Sequence, residues 1–332
     1  MMQIQPDKIR FALPSKGRMG TSTIDFLKEC GFKIKRKNRE YIGTIPLFPR
    51  IQVIFQNQMD IIRGVEGGSL SFGIVGYDLV QEFVNLYSSE VLVIHDNLEF
   101  GECRLELAIP EEMNENSIDE IFTTVKNLRI ATKFPKSTSR FLSKYAGKFQ
   151  LIEGKGALEV YPALDYSDII VDLVSSGETL RANRLKQIKG GIILKSQAVF
   201  IGNRSGLETP EVLRIARDLL EYFEAFLRGR KFVQVFANVR ESNPEILSQK
   251  LFTLPQLTGL QGPTISPIYT RNGSNWNAVH IIVERSKLQE VIRGLRSIGG
   301  SGVIVSPTLY IFEEEPECYK RLLLELNGEG ER

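Results

Sequence analysis

Residues 168–183 read Asp-Ile-Ile-Val-Asp-Leu-Val-Ser-Ser-Gly-Glu-Thr-Leu-Arg-Ala-Asn. An apolar run from Ile169 to Val174 has strand character, stops at a turn of small residues, and gives way to a helix-compatible piece from Leu180 to Asn183. A buried strand that empties into a helix needs the helix to pack back over the sheet, so the chain is held to an α/β arrangement here. The junction also offers several backbone N–H groups at a helix start, an arrangement that receives phosphate. Gly177 lets the backbone come close, and Ser175, Ser176 and Thr179 add hydroxyl donors. Asp168 and Asp172 are four apart, which places them on one face of a strand. A carboxylate beside a phosphate cradle suits sugar hydroxyls or a Mg²⁺ ion. An ordinary strand–loop–helix connection carries the same pattern.

Two further junctions share this logic. Ile9 to Leu13 runs into Pro14-Ser15-Lys16-Gly17-Arg18, with a helix expected from near Ser22 and Gly31 fitting the left-handed residue after its end. Leu128 to Thr132 runs into Lys133-Phe134-Pro135-Lys136-Ser137-Thr138 and a helix carrying Phe141, Leu142 and Tyr145. Each alone also reads as a solvated loop with exposed cations. Three in one chain favour a polyanionic ligand. Leu70 to Asp78 is a further buried strand turning on Gly76, which puts Tyr77 and Asp78 at a strand's C-terminal edge, where open parallel sheets bind ligands. Asp78 suits a helix cap equally well. Arg104 sits just inside the strand Cys103 to Ile109. Gly154 to Glu159 is expected to open a helix with Glu159 in its first turn.

Beyond a long amphipathic helix that starts at Pro210, the basic stretch Arg228 to Lys231 marks a domain boundary. Residues 232–313 then follow β-α-β-β-α-β, the ferredoxin-like pattern, with a capping box of Ser286 and Gln289 and a last strand to Phe312. The charged tail, 315–332, frames a short helix through Leu322 to Leu326. This third domain reads as regulatory or as assembling subunits. With 42 basic and 40 acidic residues the net charge of +2 implies no nucleic-acid partner. No apolar run reaches membrane-span length and the N-terminus lacks a signal-peptide core. Three scattered cysteines, Cys30, Cys103 and Cys318, point to reduced thiols and a cytoplasmic setting. Only two histidines, His95 and His280, are available, which disfavours a Ser-His or Cys-His couple.

The run Val171 to Asn183, with Leu13-Pro14-Ser15-Lys16-Gly17-Arg18, Phe72 to Asp78, Gly101-Glu102-Cys103-Arg104-Leu105, Arg129 to Pro135 and Gly156-Ala157-Leu158-Glu159, resembles the ATP phosphoribosyltransferase family in its long, single-polypeptide form. Pro263 to Pro267 and Trp276 to His280 resemble its regulatory domain. The resemblance implies an α/β fold: a two-lobed, periplasmic-binding-protein-like core and a C-terminal ferredoxin-like (ACT-like) α+β domain. The lobes are expected at 1–97 with 190–229 and at 98–189, and the third domain at 230–332. It implies transfer of the 5-phosphoribosyl group from phosphoribosyl diphosphate to N1 of ATP, with Mg²⁺ as cofactor, histidine as feedback inhibitor, and a homohexamer built from dimers.

On that basis Ser175, Ser176, Gly177, Thr179 and Leu180 form the 5-phosphate loop. Glu178 lies within it with its side chain expected in water. Asp172 takes the ribose hydroxyls, with Asp168 second. Lys16 and Arg18 meet the diphosphate or ATP phosphates, and Arg104, Lys133, Glu159 and Asp78 line the remaining walls. Thr264, Ser266 and Ser301 are expected regulatory contacts. Two positions depart from the family pattern: Ser71 replaces an acid, and Phe55-Gln56-Asn57 is neutral where many members place a cation. They motivate one alternative, a non-catalytic small-molecule sensor of the same cleft fold. A phosphoribosyltransferase acting on a nucleobase is another.

Overall fold

The computed structural model describes residues 5, 7–37, 40–85, 89–145, 147–269, 271 and 275–328. The chain forms two compact units, one of residues 1–216 with 318–332 and one of residues 217–317.

The first unit begins with β1 (Ile9–Pro14), α1 (Gly17–Glu29), β2 (Ile42–Ile45), β3 (Phe48–Gln56), α2 (Gln58–Glu66), β4 (Phe72–Gly76), α3 (Tyr77–Phe83) and β5 (Val91–His95). The chain then crosses to β6 (Cys103–Pro110), α4 (Ile118–Thr124), β7 (Leu128–Thr132), α5 (Pro135–Leu142), β8 (Phe149–Glu153), β9 (Ile169–Val174), α6 (Glu178–Ala182) and β10 (Leu185–Ser196). It returns through β11 (Ala198–Asn203), α7 (Arg204–Leu207) and the start of α8 (Pro210–Gly229), a helix whose residues from Arg217 on belong to the second unit.

The first sheet has the order β2-β3-β1-β4-β11-β5 and the second β10-β6-β9-β7-β8. Setting β2 aside, both follow one plan. Three parallel strands lie in the order second, first, third, and a reversed strand separates the third from the fourth. The reversed strand is β11 in the first sheet and β6 in the second, antiparallel to both neighbours. Each is the first strand after the chain arrives from the other sheet. This is the two-lobed, periplasmic-binding-protein-like core.

Apolar burial fixes the plan. Phe11, Phe72 and Phe200, on β1, β4 and β11, are fully buried and pack ring on ring, with centroids 5.3–6.4 Å apart. The first sheet's core is therefore completed by a strand that arrives after the whole second sheet. Leu79 of α3 packs against the cores of both sheets. The crossing segments are laced together: Tyr77 N–H donates to Gln197 O (2.9 Å), Ala198 N–H to Phe100 O (2.9 Å) and Leu98 N–H to Ala198 O (3.1 Å).

The second unit holds β12 (Phe232–Val239), α9 (Pro244–Phe252), β13 (Thr264–Pro267), β14 (Asn277–Glu284), α10 (Leu288–Ser297) and β15 (Gly300–Pro307). Its antiparallel sheet has the order β13-β14-β12-β15, the ferredoxin-like arrangement. Val235, Ala237, Ile281, Leu247 and Leu295 form its core. α11 (Glu317–Leu326) follows, and most of it belongs to the first unit, where Glu325 pairs with Arg204 (3.2 Å) and Arg321 with Asp96 (3.4 Å). No helix among the described residues is long and apolar enough to cross a membrane.

Several local expectations need correction. α1 starts at Gly17, not near Ser22, because Gly17 takes a φ of 71° and turns β1 straight into the helix. Residues 154–159 form no α-helix. Two glycines in three residues disfavour one, and only a 3₁₀ turn at Leu158–Val160 forms. The Ser286 capping box does not form: Ser286 lies in a 3₁₀ turn (Arg285–Lys287) and its hydroxyl faces Glu284, while α10 starts at Leu288 without a side-chain cap. No strand runs to Phe312; β15 ends at Pro307, which lacks the N–H to continue a ladder.

Candidate functional site

β9 ends at Val174, and Gly177 turns the chain into α6 with a φ of 75°, a conformation that glycine adopts without strain. Gly177 is buried while Ser175, Ser176, Glu178 and Thr179 are exposed. The cap residue Gly177 has no side chain to satisfy the first N–H groups of α6, and the Ser176 hydroxyl accepts only the first, from Glu178 N–H (3.4 Å). Leu180 differs: its side chain packs into the core beneath the loop with Val174 and Leu185. Any ligand contact of Leu180 is through its backbone. The Ser175 hydroxyl accepts a 2.5 Å hydrogen bond from Arg18 Nη2, which brings the Pro14–Arg18 junction onto the 175–179 turn.

Asp172, at the C-terminal end of β9, lies 3.7 Å from Lys133 Nζ, and its Oδ1 accepts from Leu173 N–H (2.8 Å). Burial pushes its carboxyl above the usual carboxylate range. The Leu173 N–H and Lys133 oppose that shift, and the nearby Glu159 charge adds to it. Directly across the ladder stands Glu106, 4% exposed. Its Oε2 accepts from Arg104 Nε (3.2 Å) and from Gln187 Nε2 (2.8 Å). Gln187 also approaches the 175–179 turn, 3.8 Å from where a Cβ on Gly177 would sit. Sequence reading missed Glu106 and Gln187. The signal for Glu106 was an isolated acid inside the apolar run Leu105-Glu106-Leu107. Nothing local marks Gln187.

On the facing sheet, Lys16 precedes α1 and Arg18 lies in its first turn. Pro14 is the ladder partner of Gln56, whose carbonyl accepts from Ser15 N–H (2.8 Å). The neutral Gln56 thus adjoins the basic turn, and Lys16 and Arg18 supply cations there. Ser71 lies just before β4, at the end of the strand opposite to Gly76, so its departure from the family pattern is remote from this edge.

Three expectations change. Asp78 neither caps α3 nor lies open at the edge. It is 5% exposed, its N–H and Oδ1 are bonded to the Ser196 hydroxyl (2.9 and 2.6 Å), and burial raises its pKa more than that bond lowers it. Asp168 lies before β9, at the far end from the 175–179 turn, roughly 13 Å of strand away from Asp172. It accepts from Arg129 N (2.7 Å), Nε (3.1 Å) and Nη2 (2.7 Å). Burial works against its ionisation, but Arg129's hydrogen bonds and charge outweigh burial and leave its pKa lowered. The Lys133–Thr138 junction is not an open anion site: the N–H groups of Lys136 and Ser137 donate to Glu82 of α3, at 2.8 Å each.

In the second unit, Ser266, Ala278, Asn238 and Ser301 are successive partners across the sheet. Thr264 and Ser266 lie on one edge strand and Ser301 on the other, about 14 Å apart by strand spacing. One small ligand therefore does not touch both edges within this sheet.

The brought-together set is Arg18, Arg104, Lys133, Asp172, Glu159 and the turn 175–179, with the exposed Lys16 two residues before Arg18. It joins cations, a half-buried acid at a strand end and a turn of small hydroxyl residues at one edge of two sheets. The sequence profile of ATP phosphoribosyltransferase (HisG) matches residues 57–224, and that of the HisG C-terminal domain matches residues 229–308. The chloroplastic ATP phosphoribosyltransferase 2 of Arabidopsis thaliana is 40% identical over 96% of this chain and 81% of its own length. The ATP phosphoribosyltransferase of Gemmatimonas aurantiaca is 32% identical over 90% of this chain and 97% of its own. Among solved structures, the ATP phosphoribosyl transferase (HisG:HisZ) complex of Thermotoga maritima shares the fold, with a TM-score of 0.51 and 24% identity over 65% of this chain and 98% of that one. The chain belongs to the ATP phosphoribosyltransferase family.

Proposed function

We propose that the chain transfers the 5-phosphoribosyl group of phosphoribosyl diphosphate to N1 of ATP and releases diphosphate, the first step of histidine biosynthesis. The observation that carries the reading is the Arg18–Ser175 hydrogen bond, because it sets a first-sheet cation on the second sheet's phosphate turn. The lobes are then residues 1–97 with the return segment, and 98–189 extended through β10, with the ligand cleft between them.

In this reading the N–H groups and hydroxyls of residues 175–179 hold the 5-phosphate, and Asp172 accepts from ribose hydroxyls. As the C1–O bond to diphosphate breaks, positive charge grows on the ribose and negative charge on the leaving group. Lys16 and Arg18 stabilise the leaving charge, and Asp172 and Glu159 stabilise the ribose charge. Arg104, held by Glu106, and Lys133 orient the group. Adenine N1 is already nucleophilic, so no strong base is required. The carboxylates of Asp172 and Glu159 are hard oxygen donors that would hold Mg²⁺, and the ion would supply charge neutralisation for the leaving group when bound.

The test mixes protein, ATP, Mg²⁺ and phosphoribosyl diphosphate and follows the product's ultraviolet absorbance. Retained ligand binding without turnover overturns the reading in favour of a sensor. We further propose feedback inhibition by histidine at the ferredoxin-like domain, a homohexamer and a cytoplasmic location. Inhibition of turnover by histidine tests the first of these, and sedimentation the second.

A further inference from the structure

Glu82 is 2% exposed, yet it belongs to none of the groups assigned above. It sits on the last turn of α3, a helix that follows a first-sheet strand. Its two carboxylate oxygens accept the N–H groups of Lys136 and Ser137, in the first turn of α5, a second-sheet helix. Such a bond to an ionised acceptor is charge-assisted, and the helix N-terminus favours the anion further. At its other end α3 is bonded through Asp78 to Ser196 and through Tyr77 N–H to Gln197. Between these ends Leu79 packs on both cores. α3 is thus fastened at both ends to the second sheet's elements.

The path from Glu82 to the site is short. Thr138 N–H donates to Phe134 O (3.0 Å), Phe134 N–H donates to Thr132 Oγ1 (3.0 Å), and the Thr132 and Thr138 hydroxyls lie 3.4 Å apart. Lys133 is held between Thr132 and Phe134, and its ammonium reaches Asp172. We propose that Glu82 is a positioning residue: by anchoring the first turn of α5 from the other sheet, it fixes the Lys133–Asp172 pair that faces the phosphoribosyl group. The inference rests on the reading of that pair given above.

The test is Glu82→Gln in the full-length protein. Glutamine keeps the size, but it offers one acceptor and turns an NH₂ toward the second N–H. The expected result is a KM for phosphoribosyl diphosphate raised about tenfold, with the KM for ATP changed less than twofold. Unchanged kinetic constants, or a fall in kcat alone as from a smaller folded fraction, overturn the proposal. A measurement on the wild-type protein covers the case in which the variant does not fold. Phosphoribosyl diphosphate should slow backbone hydrogen exchange over residues 133–138, and exchange unaffected by a saturating level of it overturns the proposal too. Asp172→Asn in the same assays separates the two levels. If it leaves the KM for phosphoribosyl diphosphate unchanged, the site reading fails. If it raises that KM while Glu82→Gln does not, only the role of Glu82 fails.

Discussion

Replacing Gly177 by Asn and by Asp isolates the charge of the bound group. Both side chains have nearly the same size, and both tolerate a left-handed backbone better than most residues. The nearest atoms to an added Cβ, on Arg181 and Gln187, are 3.8 Å away, so neither variant meets a clash at that atom. The backbone cost of a φ of 75° is therefore common to the two variants. They differ by one negative charge at the turn. At ~5 Å from a phosphate and an effective dielectric of about 20, that charge costs roughly 3 kcal/mol, and about half of that where solvent screens it. Gly177→Asp should then raise the KM for phosphoribosyl diphosphate about 10- to 150-fold above that of Gly177→Asn. The gap should narrow as ionic strength rises. Initial rates at 0.05 M and 0.5 M salt, on the order of the range over which surface charges are screened, provide the assay. Equal constants for the two variants at low salt refute the phosphate assignment, because no anion would then lie against the turn.

Glu178→Ala should change that KM by less than about twofold, since the side chain is exposed and the backbone donates. Asp168 and Asp78 should bend the stability profile in opposite senses, read by calorimetry across pH. The folded-state pKa of Asp168 is lowered, so its contribution is present above the unfolded value and is lost as pH falls through the folded one. Asp168→Asn should flatten that acid limb and leave the KM for phosphoribosyl diphosphate alone. For Asp78 the folded-state pKa is raised, so stability falls as pH rises from the unfolded value through the folded one, and Asp78→Asn should remove that fall. Leu322→Ala, at a buried position of α11, should cost about 2–4 kcal/mol, seen as a lower denaturant midpoint.

Much of the scaffold was legible because its signals are local. An apolar run followed by Gly17 or Gly177 specifies a strand that turns into a helix, and the β-α-β-β-α-β rhythm of residues 232–307 specified the third sheet. Of the helical stripe Val212, Ile215, Ala216, Leu219, Leu220, Phe223 and Leu227 on α8, all are buried as the spacing required except Val212, which is half-buried. The misreadings at the site concern acids whose partners are distant in sequence. Asp168 answers to Arg129, 39 positions away, and Asp78 to Ser196, 118 away. Glu82 answers to residues 54 and 55 positions on, and it converts an apparent anion site into a satisfied helix start. Side-chain charge tells where an acid could act, but which donor reaches it is decided by tertiary packing.

The reversed strand β11 also sets a schedule for making the protein. β5 is the last strand at its edge of the first sheet and is joined to it only through β11. About 100 residues separate their sequences, and at roughly 5–20 residues per second a ribosome needs on the order of 5–20 s to supply the missing strand. For that interval the central edge of β4 and the whole of β5 stand without partners, in a chain that already carries Phe11 and Phe72 but not Phe200. Unpaired apolar edges invite intermolecular pairing. The interlocked strand order that unites the two lobes in the finished enzyme therefore makes the nascent chain dependent on protection until its second crossing is complete.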